Sequence, residues 1–405
     1  KASEARWRAG APLSPLDGVP GTIKENIATK SCAVPLGTAA SELTPAAADA
    51  PPAARLREAG VVILSKTTMP DYGMLSSGLS SFHKLARNPW DVTKNPGGSS
   101  SGAGAAAAAG YGPLHVGTDI GGSIRLPAGW CGVVGLKPSF GRVPIDPPFI
   151  GRVAGPMTRT VDDAAAMMAV MSRPDPRDTM SLPEAALNWT LRPAEAKGLR
   201  IGLWLDPGYG LPLDPQVRAT VEGAARTFAD AGAIVEPLGP FLTREMIDGL
   251  DRFWRCRAWA DMSRLDAGRR AKILPYILQW AQPGAGYDGM TLYRGFAQIG
   301  AMREAALKAT APFDFVISPV APAPAFPAEL ASPNHDPAAP FEHIAYTVAF
   351  NMSEQPSVSV NAGYTAAGLP IGLQITGRRF DDVGVLSLAK LWEALRPAQR
   401  PWPTA

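Results

Sequence analysis

The chain has 405 residues, 46% hydrophobic and 19% charged, with 41 Gly and 41 Pro, a balance that builds a large turn-rich core and excludes a mostly disordered protein. Its formal charge of +3, with no dense Lys/Arg run, gives no case for nucleic acid or an anionic membrane, so a small-molecule partner is expected. No apolar run approaches the roughly 18 residues of a spanning helix, which makes cytoplasmic the expected location, although a chain opening at Lys1 rather than Met leaves room for a removed leader.

Lys24 lies in Leu16-Asp17-Gly18-Val19-Pro20-Gly21-Thr22-Ile23-Lys24-Glu25-Asn26, where a Gly/Pro turn runs into a short apolar strand that would carry the lysine inward. Ala53 to Ala59 is a short helix stopped by Gly60, and Val61-Val62-Ile63-Leu64 reads as a buried parallel strand. The alanine run from Ala103 to Gly110 favours helix and is followed by a short strand, Leu114-His115-Val116. The same grammar recurs in strand Leu199 to Leu205, amphipathic helix Asp214 to Ala231, the stop at Gly232, and strand Ala233-Ile234-Val235. Gly239 to Ala301 is expected to be a helical insertion. Strands follow at Phe313 to Ser318, Ser357 to Val360 and Gly372 to Ile375, and Asp381 to Leu395 forms a closing helix.

Helix, glycine and strand in alternation define an α/β protein. No linker divides it, so one domain over residues 1–405 is expected. Pro174 to Lys197 and Pro319 to Pro340 are Pro-rich and are expected to run over the surface. Cys32, Cys131 and Cys256 are widely spaced with no Cys-x-x-Cys, which predicts buried free thiols, no disulfide framework and no zinc site.

Asn95 to Arg125 carries two Gly-Gly-Ser steps, Gly97-Gly98-Ser99 and Gly121-Gly122-Ser123. Each hydroxyl would stand on a tight bend beside bare backbone N–H groups, Ser99 close to a helix N-terminus and Ser123 beside a nest able to hold an oxyanion. Asp119 and Arg125 flank the second bend and would pair across it. A serine needs a proton acceptor to become a nucleophile. His83, His115, His335 and His343 sit in no recognisable partner motif. Lys24 is the better candidate base, because burial disfavours the ammonium form.

Together these segments resemble the amidase signature family nearly end to end. The resemblance rests on Gly97 to Gly102, Gly117-Thr118-Asp119-Ile120-Gly121-Gly122-Ser123-Ile124-Arg125, Gly135-Leu136-Lys137-Pro138-Ser139-Phe140-Gly141-Arg142-Val143 and Gly155-Pro156-Met157-Thr158-Arg159-Thr160, within a signature core of about residues 95–160. It implies one large mixed twisted β-sheet covered by helices on both faces, and a Ser-Ser-Lys triad. Ser123 would be the acylating nucleophile, Ser99 the bridging serine on a cis peptide, and Lys24 the base. Ile120, Gly121, Gly122 and Ser123 would offer N–H groups to the oxyanion, with Ser100 an auxiliary hydroxyl and Thr118, Asp119 and Arg125 scaffolding. No cofactor or metal is implied, and a monomer or homodimer is expected.

Within the family the sequence is most similar to stand-alone bacterial amidases, including aryl-acylamidase and urethanase-like members. That predicts hydrolysis of small hydrophobic or aryl amides, anilides or carbamates. Met74 to Phe82, Pro144 to Ile150 and the insertion, with Trp254, Tyr276, Trp280 and Tyr287, are the expected specificity regions. The alternative is the glutamine-hydrolysing component of a tRNA-dependent amidotransferase, against which the segment Ala349 to Gln374 offers no assignable charge for the α-amino and carboxylate groups. A remoter rival takes Gly98-Ser99-Ser100-Ser101-Gly102 as a nucleophile elbow, with Ser100 attacking and His335 or His343 as base. It leaves the second glycine bend unexplained. A flexible linker fails because strand and helix signals bracket both bends, and a phosphate cradle fails for want of a Gly-Lys-Ser/Thr ending.

Overall fold

The computed structural model describes residues 1–404. Ten strands form one mixed sheet: β1 Pro20–Lys24, β2 Val62–Thr67, β3 Leu114–Asp119, β4 Val134–Lys137, β5 Val153–Thr158, β6 Arg200–Trp204, β7 Ile234–Leu238, β8 Phe315–Pro319, β9 Ser357–Tyr364 and β10 Pro370–Gly377. Their spatial order is β2-β1-β3-β5-β4-β9-β10-β8-β6-β7. The pairs at the two ends are parallel, β1 with β2 and β3, and β6 with β7 and β8, while the central ladders are antiparallel.

Side chains alternate across a strand, so a sheet buried on both faces feeds two cores. In β8, Ile317 joins one core and its neighbour Val316 the other. The first core is roofed by the helices Pro51–Glu58, Val161–Met171, Pro215–Asp230 and Asp382–Leu395. The second is roofed by Arg125–Cys131, Arg244–Met262, Pro275–Ala281, Gly289–Thr310 and Ala345–Met352. The helical segment expected to end near Ala301 thus runs on to Thr310. No helix among the described residues is long and apolar enough to cross a membrane.

Three expectations need correction. The apolar run at Val61 to Leu64 does lead into a parallel strand, but β2 is an edge, and Val62 and Leu64 are 45% and 60% exposed. An apolar run shows that a strand forms and not how many neighbours it has. The segment Pro319 to Pro340 is not a surface loop, because Val320, Ala325, Phe326 and Ala331 are buried in the second core. Cys131 is buried as expected, whereas Cys32 and Cys256 are half-buried, and all three thiols are free.

Candidate active site

β1 and β3 are parallel neighbours, with Ile23 opposite Val116, so their C-terminal ends open at the same sheet edge. Lys24 ends the first and Thr118-Asp119 the second. The Ser99 bend is brought to this edge by Asn95, whose side-chain oxygen accepts the N–H groups of Gly78 (3.0 Å) and Gly97 (2.9 Å). A Cβ on Gly98 would lie 2.5 Å from the Ser77 backbone nitrogen, so glycine is required there by space. The Gly98–Ser99 peptide is cis. Ser100 N–H donates to the Ser123 carbonyl at 3.1 Å and ties the two serine bends together.

Lys24 is fully buried, with Nζ 2.8 Å from Ser99 Oγ, 2.9 Å from Ser100 Oγ and 3.4 Å from the Thr118 carbonyl. Burial lowers its pKa to about 7, Asp119 and Glu25 pull the other way, and the Arg152 charge lowers it further. A substantial neutral fraction therefore exists at physiological pH. Ser100 Oγ donates to the Thr118 carbonyl and accepts its N–H, both at 3.2 Å, and Thr118 Oγ1 accepts from Asn26 at 3.1 Å. Ser100 thereby fixes the lysine against β3.

Asp119 and Arg125 form a fully buried pair at 3.0 Å. The carboxylate also accepts the N–H groups of Gly122 (2.8 Å) and Ile124 (3.0 Å) and the Asn351 amide (2.8 Å). Burial works against its charge, but Arg125 and these donors outweigh that effect and hold its pKa well below the usual carboxylate range. Arg125 reaches on to the Thr347 carbonyl (2.9 Å) and Gln374 (2.8 Å). Thr347 Oγ1 donates to the Gly121 carbonyl at 2.6 Å, so both sides of the second glycine bend are held.

One expectation about this bend is corrected here. The Gly122 N–H is taken by Asp119, whereas the Ile120, Gly121 and Ser123 N–H groups have no protein acceptor among the described residues. These three remain available to an oxyanion.

Ser99, Ser123, Thr118 and Asp119 line one cavity of about 870 Å³ of empty volume, part of it open to solvent. Among the described residues the half-buried Ser123 hydroxyl makes no hydrogen bond, so the lysine and Ser99 are joined while Ser99 and Ser123 share only the lining of one cavity. Ser100, fully buried and bonded on both sides, does not line the cavity, which removes the nucleophile-elbow alternative.

The histidines separate. His83 pairs with Glu25 at 2.6 Å, and His115 is bonded to Thr22 and the Gly112 carbonyl. His335 Nδ1 accepts the Ala331 N–H at 3.0 Å. His343 lines the cavity with neither ring nitrogen bonded among the described residues, and burial lowers its pKa to about 3, so it is neutral.

Of the expected specificity residues, Met74, Leu75, Ser76, Trp254 and Tyr276 line the cavity, and none of Pro144 to Ile150 does. Trp280 and Tyr287 do not; Trp280 backs the wall, its ring 5.9 Å from Phe341. Sequence reasoning missed Asn26, Arg152, Arg257 and Phe341 in the lining, and Asn351 and Gln374 beneath it. Asn26 closes the Lys24 segment and Arg152 lies within the signature core, yet neither stands in a pattern that assigns it a role, and the other four lie far from the serine bends in the chain.

The model of the family described as Amidase matches residues 1–386. The chain belongs to the amidase family. This amidase is 34% identical to a glutamyl-tRNA(Gln) amidotransferase subunit of Myxococcus xanthus, over 97% of its own length and 86% of the relative's. It is 33% identical to an acylamidase of Rhodococcus erythropolis, over 96% of this chain and 83% of that one. Among solved structures it resembles a bacterial aryl acylamidase of the amidase signature family, with a TM-score of 0.89 and 29% identity over 97% of this chain and 86% of that one. Membership makes it a hydrolase of C–N bonds.

Proposed function

We propose that this amidase hydrolyses small amides with an apolar or aryl part through an acyl-enzyme on Ser123. The observation that carries this reading is the buried Lys24 Nζ, 2.8 Å from Ser99 Oγ, behind the wall of a cavity in which Ser123 stands beside three unengaged N–H groups. With substrate in the cavity, Ser123 turns toward Ser99, since such hydrogen bonds often tighten only in the complex. Neutral Lys24 takes the Ser99 proton as Ser99 takes that of Ser123, and Ser123 Oγ attacks the carbonyl carbon. The oxyanion forms against the N–H groups of Ile120, Gly121 and Ser123. Its collapse breaks the C–N bond, and the proton returns through Ser99 to the leaving nitrogen. Water, deprotonated by the same relay, then cleaves the ester and frees Ser123.

Met69, Tyr72, Leu75, Trp254, Phe341 and Ile344 supply apolar walls, which favour a hydrophobic or aromatic portion of the substrate. Acylamidase and aryl acylamidase relatives support the same class. The second reading is glutamine hydrolysis within a tRNA-dependent amidotransferase, favoured by the likeness to the Myxococcus protein. Against it, Asp119 is the sole carboxylate among the lining residues and is consumed by Arg125, so the α-ammonium of glutamine finds no counter-charge.

Turnover of a panel of primary amides, anilides, small carbamates and glutamine, with mass-spectrometric mapping of the trapped acyl group, tests this. Acylation of Ser123 with turnover of anilides or aryl amides is expected. Acylation elsewhere sinks the mechanism, and turnover of glutamine alone favours the amidotransferase.

A further inference from the structure

Two guanidinium groups in the cavity are not used by the proposed hydrolytic machinery. Arg152 lies just before β5, and Arg257 lies in helix Arg244–Met262 three residues after Trp254, on the same helix face. Both line the cavity that holds Ser123. Both converge on Phe149, with guanidinium carbons 4.2 Å (Arg257) and 5.9 Å (Arg152) from its ring centroid. Phe149 is itself stacked on Phe253, with centroids 6.5 Å apart and planes at 14°.

Neither group has a carboxylate within 4.0 Å among the described residues, although the buried arginines Arg125 and Arg255 do, Arg125 pairing with Asp119 and Arg255 with Asp251. Arg152 donates to the Pro147 carbonyl, and Arg257 makes no hydrogen bond to the described protein. The carboxylates whose fields reach them are Asp178 and Asp261. Asp178 accepts the N–H groups of Ile145 (2.9 Å) and Met180 (2.8 Å), and Asp261 is exposed. Burial lowers both guanidinium pKa values, that of Arg152 to about 10 with Arg257 as the next cause.

Two half-buried like charges without a counter-ion are unfavourable, and an anion seated between them relieves both their repulsion and their lost hydration. A planar guanidinium presents paired N–H donors matched to the two oxygens of a carboxylate. We propose that the substrate of this amidase carries a carboxylate, gripped by Arg152 and Arg257 above Phe149 while the scissile amide lies at Ser123. This deepens the amide-hydrolase reading and rests on it. The absence of a free acid in the lining further specifies a carboxylate without a neighbouring ammonium, which separates this class from free amino acids.

Matched substrate pairs test the idea on either side of the scissile bond: adipic acid monoamide against hexanamide for the acyl side, and N-benzoyl-β-alanine against N-propylbenzamide for the amine side. We expect the carboxylate member of one pair to have at least a tenfold higher kcat/KM, with the advantage shrinking as ionic strength rises. In Arg257→Met and Arg152→Met that ratio falls at least fivefold through KM. Should either variant fail to fold, competitive inhibition of the wild type by glutarate against 1,5-pentanediol gives the same contrast, with glutarate at least tenfold tighter. Turnover with a ratio near one in both pairs, or a ratio the variants leave unmoved, overturns the carboxylate site alone. No turnover of any amide and no acyl group on Ser123 takes down the hydrolase reading as well.

Discussion

Lys24 Nζ stands 2.8 Å from Ser99 Oγ, fully buried behind the serine that, with Ser123, lines the cavity. The base must be neutral to act, and burial has brought its pKa to about 7. The rate therefore rises with pH through about 7 and levels off above it. A plot of kcat/KM between pH 5.5 and 9.5 should show that single ascending limb. Lys24→Met should remove the limb and lower kcat/KM by about 10²- to 10⁴-fold, the range for loss of a general base. A flat wild-type profile contradicts a lysine base.

The two neighbouring serines should separate cleanly. Ser99→Ala removes the hydroxyl between lysine and cavity, and we expect a loss of kcat comparable to that of Lys24→Met. Ser100→Ala leaves the cavity untouched but deprives Lys24 and the Thr118 N–H of a buried partner. Its cost should appear mainly as stability, about 1–3 kcal/mol in denaturant unfolding. A larger kcat loss for Ser100→Ala than for Ser99→Ala would reverse the assignment.

The Asp119–Arg125 pair supports the second glycine bend from beneath. Asp119→Ala leaves an uncompensated buried guanidinium and unpairs the Gly122 and Ile124 N–H groups. Breaking one partner of a buried pair costs about 3–5 kcal/mol. We expect a correspondingly lower urea midpoint with activity lost in parallel, because the bend that carries Ser123 is no longer held. An unchanged midpoint would mean that Arg125 is satisfied by Thr347, Asn351 and Gln374 alone.

The chemistry was legible where one short segment supplies both the chain turn and the reacting group. Lys24 on β1, the two serine bends and the flanking Asp119 and Arg125 all announce themselves locally. β5 did not, because Gly155 and Pro156 argue against a strand. The β4–β5 ladder covers only Val134–Thr158 and Gly135–Met157, which leaves Pro156 without a β4 partner and makes proline tolerable there. Arg152 and Arg257 are 105 positions apart, and only packing of helix Arg244–Met262 over the sheet edge brings them to one aromatic ring. Asn351 and Gln374 likewise reach the bend only through the tertiary fold, the first from helix Ala345–Met352 and the second from β10.

A second buried lysine gives a stability signature independent of catalysis. Lys137 is fully enclosed in β4 and donates to the Pro138 carbonyl at 2.9 Å. Burial, reinforced by Arg125, lowers its pKa to about 7, whereas an unfolded lysine titrates near 10.4. Between these values the unfolded chain holds a proton that the folded chain has released, so folding stability contributed by this group rises with pH across that window and is flat below it. Lys137→Met removes the group from both states. The difference in unfolding free energy, wild type minus variant, should therefore increase between pH 7.5 and 9.5, by up to about 1.4 kcal/mol per pH unit. Other titrations, such as that of the buried Cys131 thiol, are common to both proteins and cancel. Parallel stability curves for the two proteins over this range would show that Lys137 keeps its proton in the fold.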